Sequence, residues 1–315
     1  MPSPQVVSLF AGAGGLDLGF IQAGFRIVWA NDNNRDAVET YRNNLGNHIV
    51  FRDIAKVAAE EIPDCDVLIG GFPCQGFSVA NLKRNTSDER NLLYREYLRV
   101  LKAKKPKVFL AENVRGILSL DSGEVINMII NDFTEAGYNV QYKLMNAADY
   151  GVPQKRMRVI IVGVRDDIQG TFKYPKPTHS KYPNDDLLPW ITMREALKDI
   201  PDPDSPNASD VPNNVYSHYK VAPRNFTGHR LSDGEQPSPT ILARGNGGGG
   251  VCAIPHYNGK RRLSVRESAS IQSFPLNFKF YGSMGSCYRQ IGNAVPAKLA
   301  NALAVEIRKL LSDEE

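Results

Sequence analysis

Residues 5–20 read QVVSLFAGAGGLDLGF, and this stretch decides the fold. QVVSLF predicts a strand, the glycines predict a tight turn, and LDLGFIQAG predicts the helix that follows. A turn of this kind lets the backbone approach a ligand at the N-terminus of the helix. The alternative is a turn with a purely structural role.

The spacing of the glycines excludes two common nucleotide sites. Asp17 stands where the dinucleotide pattern G-x-G-x-x-G needs its third glycine, and no Gly-Lys-Ser/Thr follows as in a P-loop. The remaining glycine turn is compatible with a nucleotide-like cofactor that has no pyrophosphate, and we expect this cofactor to be S-adenosylmethionine.

Beyond this unit, short apolar runs alternate with helical patterns through the first half of the chain. Further strands are predicted in RIVWAND, HIVFRDI, DVLIGGFPC, PKVFLAENV, NVQYKLMNAADYG and RMRVIIVGV. Helices are predicted in RDAVETYRNNL and LLYREYLRVLKA, and near the C-terminus in SVRESASIQSF and PAKLANALAVEIRKLL. The alternation predicts an α/β fold with a doubly wound, mainly parallel sheet that carries helices on both faces.

The composition changes after Phe172, where Pro, Asn and Asp become frequent and break regular elements. We therefore expect two domains. Residues 1–172 together with 288–315 form the catalytic and cofactor-binding domain, and residues 173–287 form a smaller, irregular domain with the hinge.

The bulk composition is that of an ordinary globular enzyme, with 42% hydrophobic and 23% charged residues. The net charge of +4 is too small to prove a polyanionic partner. Nine basic and three acidic side chains nevertheless lie between Lys83 and Lys107, a local balance of +6. Such a run suits either a solvated helix face or contacts to phosphates.

The four cysteines, Cys65, Cys74, Cys252 and Cys287, form no C-x-x-C pair and no zinc spacing with the five histidines, so no metal site is expected. The N-terminal MPSPQVVSLF lacks the features of a signal peptide, and no apolar run approaches the roughly 20 residues that span a bilayer. The expected location is the cytoplasm, with reduced thiols and no membrane contact.

Acidic residues stand at the ends of two predicted strands. Asp32 closes RIVWAND and could accept hydrogen bonds from ribose hydroxyls, and Asp53 in HIVFRDI could hold the adenine amino group. Each aspartate alone could equally be a helix cap. Together, after a glycine turn, they favour an adenosine moiety.

The stretch GGFPCQGFS, residues 70–78, places Cys74 directly after a proline at the exit of an apolar run. The alternative to a reactive thiol is a buried, inert one. Glu112 ends the neighbouring predicted strand in AENV. A thiol and a carboxyl side by side can perform covalent addition with proton donation.

Six motifs occur in order along the chain: LFAGAGGLDLGF, GGFPCQGFS, AENV, QKRMRVIIVG, RLSVRESASIQSFP and YRQIGNAVP. With them the sequence resembles the DNA (cytosine-5) methyltransferases, specifically the short bacterial enzymes of restriction–modification systems. The resemblance covers residues 5–310 apart from the variable middle.

The resemblance implies a mechanism. A thiolate at Cys74 adds to carbon 6 of cytosine, and Glu112 protonates or hydrogen-bonds ring nitrogen 3. Carbon 5 then takes the cofactor's methyl group, and loss of its proton expels the enzyme. Arg156 and Arg158 are similar to the arginines that orient the base and lower the pKa of the cysteine. Because the base is inaccessible inside a duplex, the enzyme must flip it out.

The resemblance also implies a set of cofactor-binding residues: Phe10, Ala11, Gly12, Gly14, Gly15, Leu16, Asp32, Asn33, Asp53, Ile54, Pro73, Asn293 and Ala294. One position departs from the family. Asn33 stands where many relatives carry a tryptophan that stacks on adenine, and an asparagine stacks poorly. We therefore expect the departure to affect adenine affinity and not the reaction.

Double-stranded DNA is the expected partner, and residues 174–250 correspond to the family's target-recognition region. The expected DNA-binding residues are Gln75, Ser78, Lys83, Arg84, Arg90, Arg224, His229, Thr240 and Arg244. Residues 78–91, SVANLKRNTSDERN, predict a loop that is mobile without DNA and closes over the duplex.

The expected activity is methylation of cytosine carbon 5 within a short duplex sequence, by a monomer that protects host DNA from a cognate endonuclease. Three alternatives remain. The first is an enzyme that performs the same reaction on RNA, but the Cys-Phe-Thr signature of the tRNA-methylating relatives is absent from this sequence. The second is a DNA-binding protein without catalytic activity, which would not need both Cys74 and Glu112. A nicotinamide oxidoreductase would need the missing third glycine.

Overall fold

The computed structural model describes residues 3–73, 89–218, 221, 231–243 and 254–312, and the side chains of residues 89–92 are not part of this description. Cys74 and nearly all of the predicted 78–91 loop lie outside it, as do Arg224, His229 and Arg244.

One seven-stranded sheet forms the centre of the molecule. Its strands are β1 (Gln5–Leu9), β2 (Arg26–Asp32), β3 (Ile49–Phe51), β4 (Val67–Gly70), β5 (Val108–Val114), β6 (Tyr138–Asn146) and β7 (Met157–Arg165). They lie in the order β3-β2-β1-β4-β5-β7-β6, and β7 is antiparallel to both of its neighbours while the other pairings are parallel. The predicted doubly wound, mainly parallel α/β sheet is confirmed.

The helices of the described residues are α1 (Gly15–Gln22), α2 (Arg35–Leu45), α3 (Glu89–Lys104), α4 (Glu124–Glu135), α5 (Met193–Leu197), α6 (Val265–Ile271), α7 (Met284–Asn293) and α8 (Ala297–Ser312). Helix α2 begins and ends at the residues predicted from the RDAVETYRNNL pattern, Arg35 and Leu45. The prediction of a loop through residue 91 was wrong at its end, because α3 already begins at Glu89. A short parallel pair, β8 (His179–Ser180) and β9 (Leu188–Pro189), lies apart from the main sheet.

The strand predicted in HIVFRDI is shorter than expected. Pairing with β2 ends at Phe51, and residues 54–56 form a single 3₁₀ turn. The Asp53 carboxylate causes this change, because it accepts a hydrogen bond of 3.1 Å from the amide of Ala55 and caps the turn.

Alternating side chains of the strands build a core on each face of the sheet. On one face Val6 packs with Phe20 and with Leu303 of α8, and on the other Val7 packs with Phe109 and Phe133. Gly19 lets α8 approach α1 closely, since a Cβ at Gly19 would lie 2.4 Å from the Cβ of Ala300. The last helix therefore completes the first layer of the fold.

A third apolar cluster joins the irregular part of the chain to the sheet region. Met193, Ile241, Phe274 and Ile291 pack there with Leu18 of α1. The expected domain boundary at residue 288 falls inside α7, and the division into two domains stays a prediction. Among the described residues, no helix combines the length and apolarity that a bilayer crossing requires.

Candidate active site

A cavity of about 460 Å³ opens at the carboxyl ends of β1, β2, β4 and β5. In the sheet, β2 lies on one side of β1 and β4 lies on the other, so the strand order reverses direction at β1. The cavity therefore lies at the topological switch point, where open α/β sheets bind ligands. Twelve of the thirteen predicted cofactor residues line it, as do Glu112, Arg156 and Arg158. The exception is Gly14, which lies beneath the wall at the N-cap of α1.

The glycine turn after β1 requires glycine at two positions for different reasons. Gly14 has φ of 86°, a left-handed conformation that other residues rarely adopt. At Gly15 the constraint is space, because a Cβ would lie 2.4 Å from the carbonyl oxygen of Val295. The segment that joins α7 to α8 therefore passes directly over the turn and closes one side of the cavity.

The turn is held to the end of β2 by Asp32. Its carboxylate accepts hydrogen bonds of 2.8 Å from the backbone amides of Gly12 and Asn34. Burial raises the pKa of Asp32, and the amide donors of Asn34, Gly12 and Asn33 partly oppose this rise. The bonds orient the carboxylate at the cavity wall, where spare lone pairs can accept from a ligand hydroxyl.

Behind the turn lies a buried carboxyl group that the sequence motifs do not explain. Asp17 accepts hydrogen bonds from the hydroxyls of Ser8 (3.0 Å) and Tyr41 (2.9 Å). The Tyr41 hydroxyl also lies 2.9 Å from Nε2 of His48. Burial raises the pKa of Asp17 to about 6, although both hydroxyls lower it. Asp17 thus replaces a glycine of the dinucleotide pattern and ties α1 to β1 and α2.

Glu112 and Arg158 form an ion pair on the opposite side of the cavity. Nε of Arg158 lies 2.7 Å from Oε1 of Glu112, and each side chain is 11% exposed. In the antiparallel pairing of β5 with β7, Glu112 stands opposite Ile160, so Arg158 is its diagonal neighbour. Gly71 leaves room for the pair, since a Cβ there would lie 3.0 Å from Oε2 of Glu112.

Asn113 fixes the segment that leads to the predicted nucleophile. Its amide nitrogen donates to the carbonyl oxygen of Phe72 at 3.1 Å, and its Oδ1 accepts from the backbone amide of Val114. Pro73 lines the cavity, and Cys74 follows it in the sequence but lies outside the described residues. Sequence reasoning passed over Asn113, although it stands beside Glu112 in the AENV motif.

Arg156 differs from Arg158 in its surroundings. Its terminal nitrogens donate to the carbonyl oxygens of Ile241 (2.8 Å), Gly292 (2.8 Å) and Ala294 (2.9 Å). The side chain is completely buried, and burial lowers its pKa to about 9. All of these partners are backbone groups of distant segments, so Arg156 connects the C-terminal return of the chain with the segment around Ile241.

The predicted DNA-binding residues are mostly outside the described part of the chain. Thr240 is described, and its hydroxyl donates to the carbonyl oxygen of Lys155 at 2.7 Å. Arg90 lies in the first turn of α3. The remaining residues expected to contact DNA, Gln75, Ser78, Lys83, Arg84, Arg224, His229 and Arg244, are not described, and their role stays a prediction.

Comparison with known proteins assigns the family. The family model described as C-5 cytosine-specific DNA methylase matches residues 5–309, almost the whole chain. The chain belongs to this family. The predicted enzyme class, a DNA (cytosine-5) methyltransferase, is thereby confirmed, and the reaction requires a methyl donor.

Individual relatives are similar over nearly their full length. The type II methyltransferase M.NgoFVII of Neisseria gonorrhoeae is 41% identical over 98% of this chain and 88% of the relative. M.FnuDI of Fusobacterium nucleatum, also a type II methyltransferase, is 41% identical over 99% of this chain and 96% of its own length. The crystal structure of the S. pombe Dnmt2 methyltransferase covers 99% of each chain with a TM-score of 0.71 at 20% identity, which supports the fold.

Proposed function

We propose that this methyltransferase transfers a methyl group from S-adenosylmethionine to carbon 5 of a cytosine within a short, specific duplex DNA sequence. The observation that carries the proposal is that two groups of residues line one cavity. The glycine turn with Asp32 lies on one side, and the Glu112–Arg158 pair lies on the other. A cofactor and a base bound at these two sites would meet within the same cavity.

The residues of the cavity fit S-adenosylmethionine. Asp32 is oriented by two backbone amides and can accept from ribose hydroxyls, and the turn from Phe10 to Leu16 brings backbone close to the ligand. Asp53 and Ile54 line the neighbouring wall and suit the adenine ring. A volume of about 460 Å³ lies within the range of small-molecule sites. When bound, the cofactor supplies an electrophilic methyl group.

The reaction at cytosine begins with the thiolate of Cys74 forming a bond to carbon 6, which makes carbon 5 nucleophilic. Glu112 holds a proton or hydrogen bond at ring nitrogen 3 and takes up the electron density that develops there. Methylation of carbon 5 would leave S-adenosylhomocysteine as the second product. A water molecule then takes the proton from carbon 5, and Glu112 recovers any proton that it gave to nitrogen 3. The electron pair of the broken carbon–hydrogen bond restores the ring double bond as the carbon–sulfur bond breaks and the thiolate leaves.

Arg158 orients Glu112 in this scheme and is the arginine that faces the base. Arg156, by contrast, is a positioning residue, because its three hydrogen bonds go to backbone carbonyls of Ile241, Gly292 and Ala294. This assignment revises the expectation that both arginines act on the base. Loss of Arg156 would displace the walls of the cavity instead of removing a contact to cytosine.

The enclosed Glu112 supports base flipping. Its side chain is 11% exposed within the cavity wall, so a cytosine that remains stacked in a duplex could not bring nitrogen 3 to the carboxylate. Rotation of the nucleotide out of the helix would bring the ring into the cavity, at a cost of a few kcal/mol for unstacking.

The biological role follows from the relatives, which are named type II methyltransferases. We propose that the enzyme methylates the recognition site of a cognate restriction endonuclease and so protects host DNA in the cytoplasm. Residues 173–287 would select the sequence, and the enzyme would act on DNA as a monomer. The endonuclease is a functional partner and needs no contact with this chain.

Bisulfite sequencing of DNA from cells that express the enzyme tests this proposal. We expect protected cytosines within one short sequence, no protected sites with Cys74→Ser, and strongly reduced protection with Glu112→Gln. The exposed Asp64→Asn, at 93% side-chain exposure, serves as a matched control that retains activity. Methylated cytosines confined to RNA, or protection that persists without Cys74, would refute the proposal.

A further inference from the structure

Among the described residues, four arginines line the cavity, and three of them already have partners. Arg52 forms a two-point ion pair with Glu61 at 2.6 Å and 2.9 Å. Arg158 pairs with Glu112, and Arg156 donates to three carbonyl oxygens. Arg289, on α7, forms no hydrogen bond or ion pair with any group in the described part of the chain. An exposed guanidinium at the cavity is therefore available to a ligand.

The position of Arg289 follows from the packing of α7. The helix presents Ser286, Arg289, Gln290 and Asn293 to the cavity, which is the spacing of one helical face. Oε1 of Gln290 accepts from the Thr40 hydroxyl of α2 at 2.6 Å. This face of α7 therefore lies beside α2.

The beginning of α7 lies against the first turn of α2. A Cβ at Gly282 would lie 2.3 Å from the carboxylate of Asp36, which shows how closely the two segments approach. Because helical side chains generally lean toward the N-terminus of their helix, we infer that Arg289 extends in the direction of this contact. Asn33, Asn34 and Ala37, which precede or begin α2, also line the cavity.

The described residues of this part of the wall offer little flat surface to an aromatic ligand. Asn33 is exposed and has no ring. Of the two described aromatic residues at the cavity, Phe72 is buried and packs edge-on against Tyr94 and Tyr97, with ring centroids 5.4 Å and 5.7 Å apart. Phe10 remains as an aromatic surface for the ligand, and it lies in the turn after β1.

We propose that the guanidinium of Arg289 stacks on the adenine ring of the bound cofactor and supplies the planar surface that Asn33 lacks. Arg guanidinium groups are planar and stack on aromatic faces. The inference rests on the proposed use of S-adenosylmethionine. The transferable methyl must lie near Glu112 and the ribose at Asp32, so the adenine would extend beyond Asp32, between the wall of Asp53 and Ile54 and the wall of Asn33 and α2. The methionine carboxylate, which is attached near the sulfonium, belongs to the other end of the cavity.

Calorimetric titration with two ligands tests the assignment. S-adenosylhomocysteine contains both adenine and the amino-acid group, and 5′-methylthioadenosine lacks the amino-acid group. We expect Arg289→Ala to weaken both ligands by a similar factor, about 3-fold to 30-fold. Arg289→Lys, which keeps the charge but loses the planar surface, should show a large part of the same loss. Arg35→Ala removes an exposed arginine of α2 that does not line the cavity and should bind like the wild type.

A second substitution that adds an aromatic ring at position 33 provides an independent test of stacking on the adenine. In the Arg289→Ala background, Asn33→Trp should recover the affinity for both ligands. A loss confined to S-adenosylhomocysteine would show that Arg289 pairs with the carboxylate, and unchanged affinity in Arg289→Ala would show that it touches neither group. Either result would overturn the stacking assignment. Wild-type enzyme that binds neither ligand would instead refute the cofactor proposal on which the inference rests.

Discussion

Nε of Arg158 lies 2.7 Å from Oε1 of Glu112, and this pair joins the antiparallel strand β7 to the last parallel strand, β5. The two side chains stand diagonally across the strand pair and are nearly enclosed. A carboxylate in this setting depends on its partner, since breaking a buried ion pair leaves an uncompensated charge. The position and charge of the proposed catalytic Glu112 therefore depend on Arg158.

The coupling of this pair is measurable by a double-mutant cycle. Arg158→Met should lower the free energy of unfolding by about 3 kcal/mol, because Glu112 loses its partner. Adding Glu112→Gln should recover most of that loss, while methylation remains abolished. Denaturant unfolding and a methyl-transfer assay give the two readouts. Strictly additive losses of stability would contradict the pairing.

Asp17 provides a prediction about pH. Its pKa rises from the ordinary 3.8 to about 6 in the folded protein, so between these values the folded chain keeps a proton that the unfolded chain has released. The contribution of Asp17 to stability is fully present below pH 3.8 and is lost as pH rises through about 6. The difference of about two pH units corresponds to about 3 kcal/mol.

Asp17→Asn removes this titration while keeping an acceptor for one hydroxyl. Relative to the wild type, we expect it to gain stability as the pH is raised from 4 to 7, by up to about 3 kcal/mol. Urea unfolding at several pH values measures the difference, and Asp64→Asn is the exposed control. Parallel stability curves for Asp17→Asn and the wild type would show that the carboxyl is not perturbed.

Arg156 should behave as a positioning residue. Arg156→Lys cannot reproduce three hydrogen bonds to the carbonyls of Ile241, Gly292 and Ala294, so we expect a loss of about 3 kcal/mol in stability. Amide hydrogen exchange should accelerate around Ile241 and at the end of α7. A variant with wild-type stability and exchange but no methylation would show instead that Arg156 contacts the base.

The glycine turn allows steric and conformational effects to be separated. Gly15→Ala should destabilise the protein by 1–3 kcal/mol and weaken S-adenosylhomocysteine, because its Cβ would lie 2.4 Å from the Val295 carbonyl. A Cβ in Gly12→Ala would meet no atom of the described residues within 4 Å, and its cost should be limited to the left-handed backbone, about 1 kcal/mol. Thermal unfolding and calorimetry measure both effects. Equal losses for the two variants would contradict the close approach at Gly15.

Features that depend on local pattern could be predicted from the sequence. The strand, turn and helix of residues 5–22 are neighbours in the chain, and RDAVETYRNNL carries its own helical spacing and an Asn cap. Two strongly amphipathic helices were nevertheless missed: α4, with the sequence EVINMIINDFTE, and α7, although α7 contains most of the YRQIGNAVP motif. HIVFRDI was predicted as one strand, but the Asp53 cap ends it early.

Side-chain partners across long separations could not be predicted. Arg156 and Arg158 stand two positions apart in one motif, and their different partners follow only from the packing. The carbonyls that hold Arg156 are 85, 136 and 138 residues away. Arg289 likewise stands in the YRQIGNAVP motif, from which only Asn293 and Ala294 were predicted to bind the cofactor. That Arg289 and Asn33 line one cavity follows from the packing of α7 beside α2.

The central claim is that Cys74 forms a covalent bond to cytosine carbon 6 while Glu112 acts on the same ring. The most direct measurement is trapping on duplex DNA that carries 5-fluorocytosine at the modified position, in the presence of S-adenosylmethionine, because fluorine cannot leave carbon 5 as a proton does. We predict a denaturation-resistant protein–DNA adduct for the wild type and none for Cys74→Ser. An adduct that survives Cys74→Ser, or a fully active wild type that gives no adduct, would contradict the account.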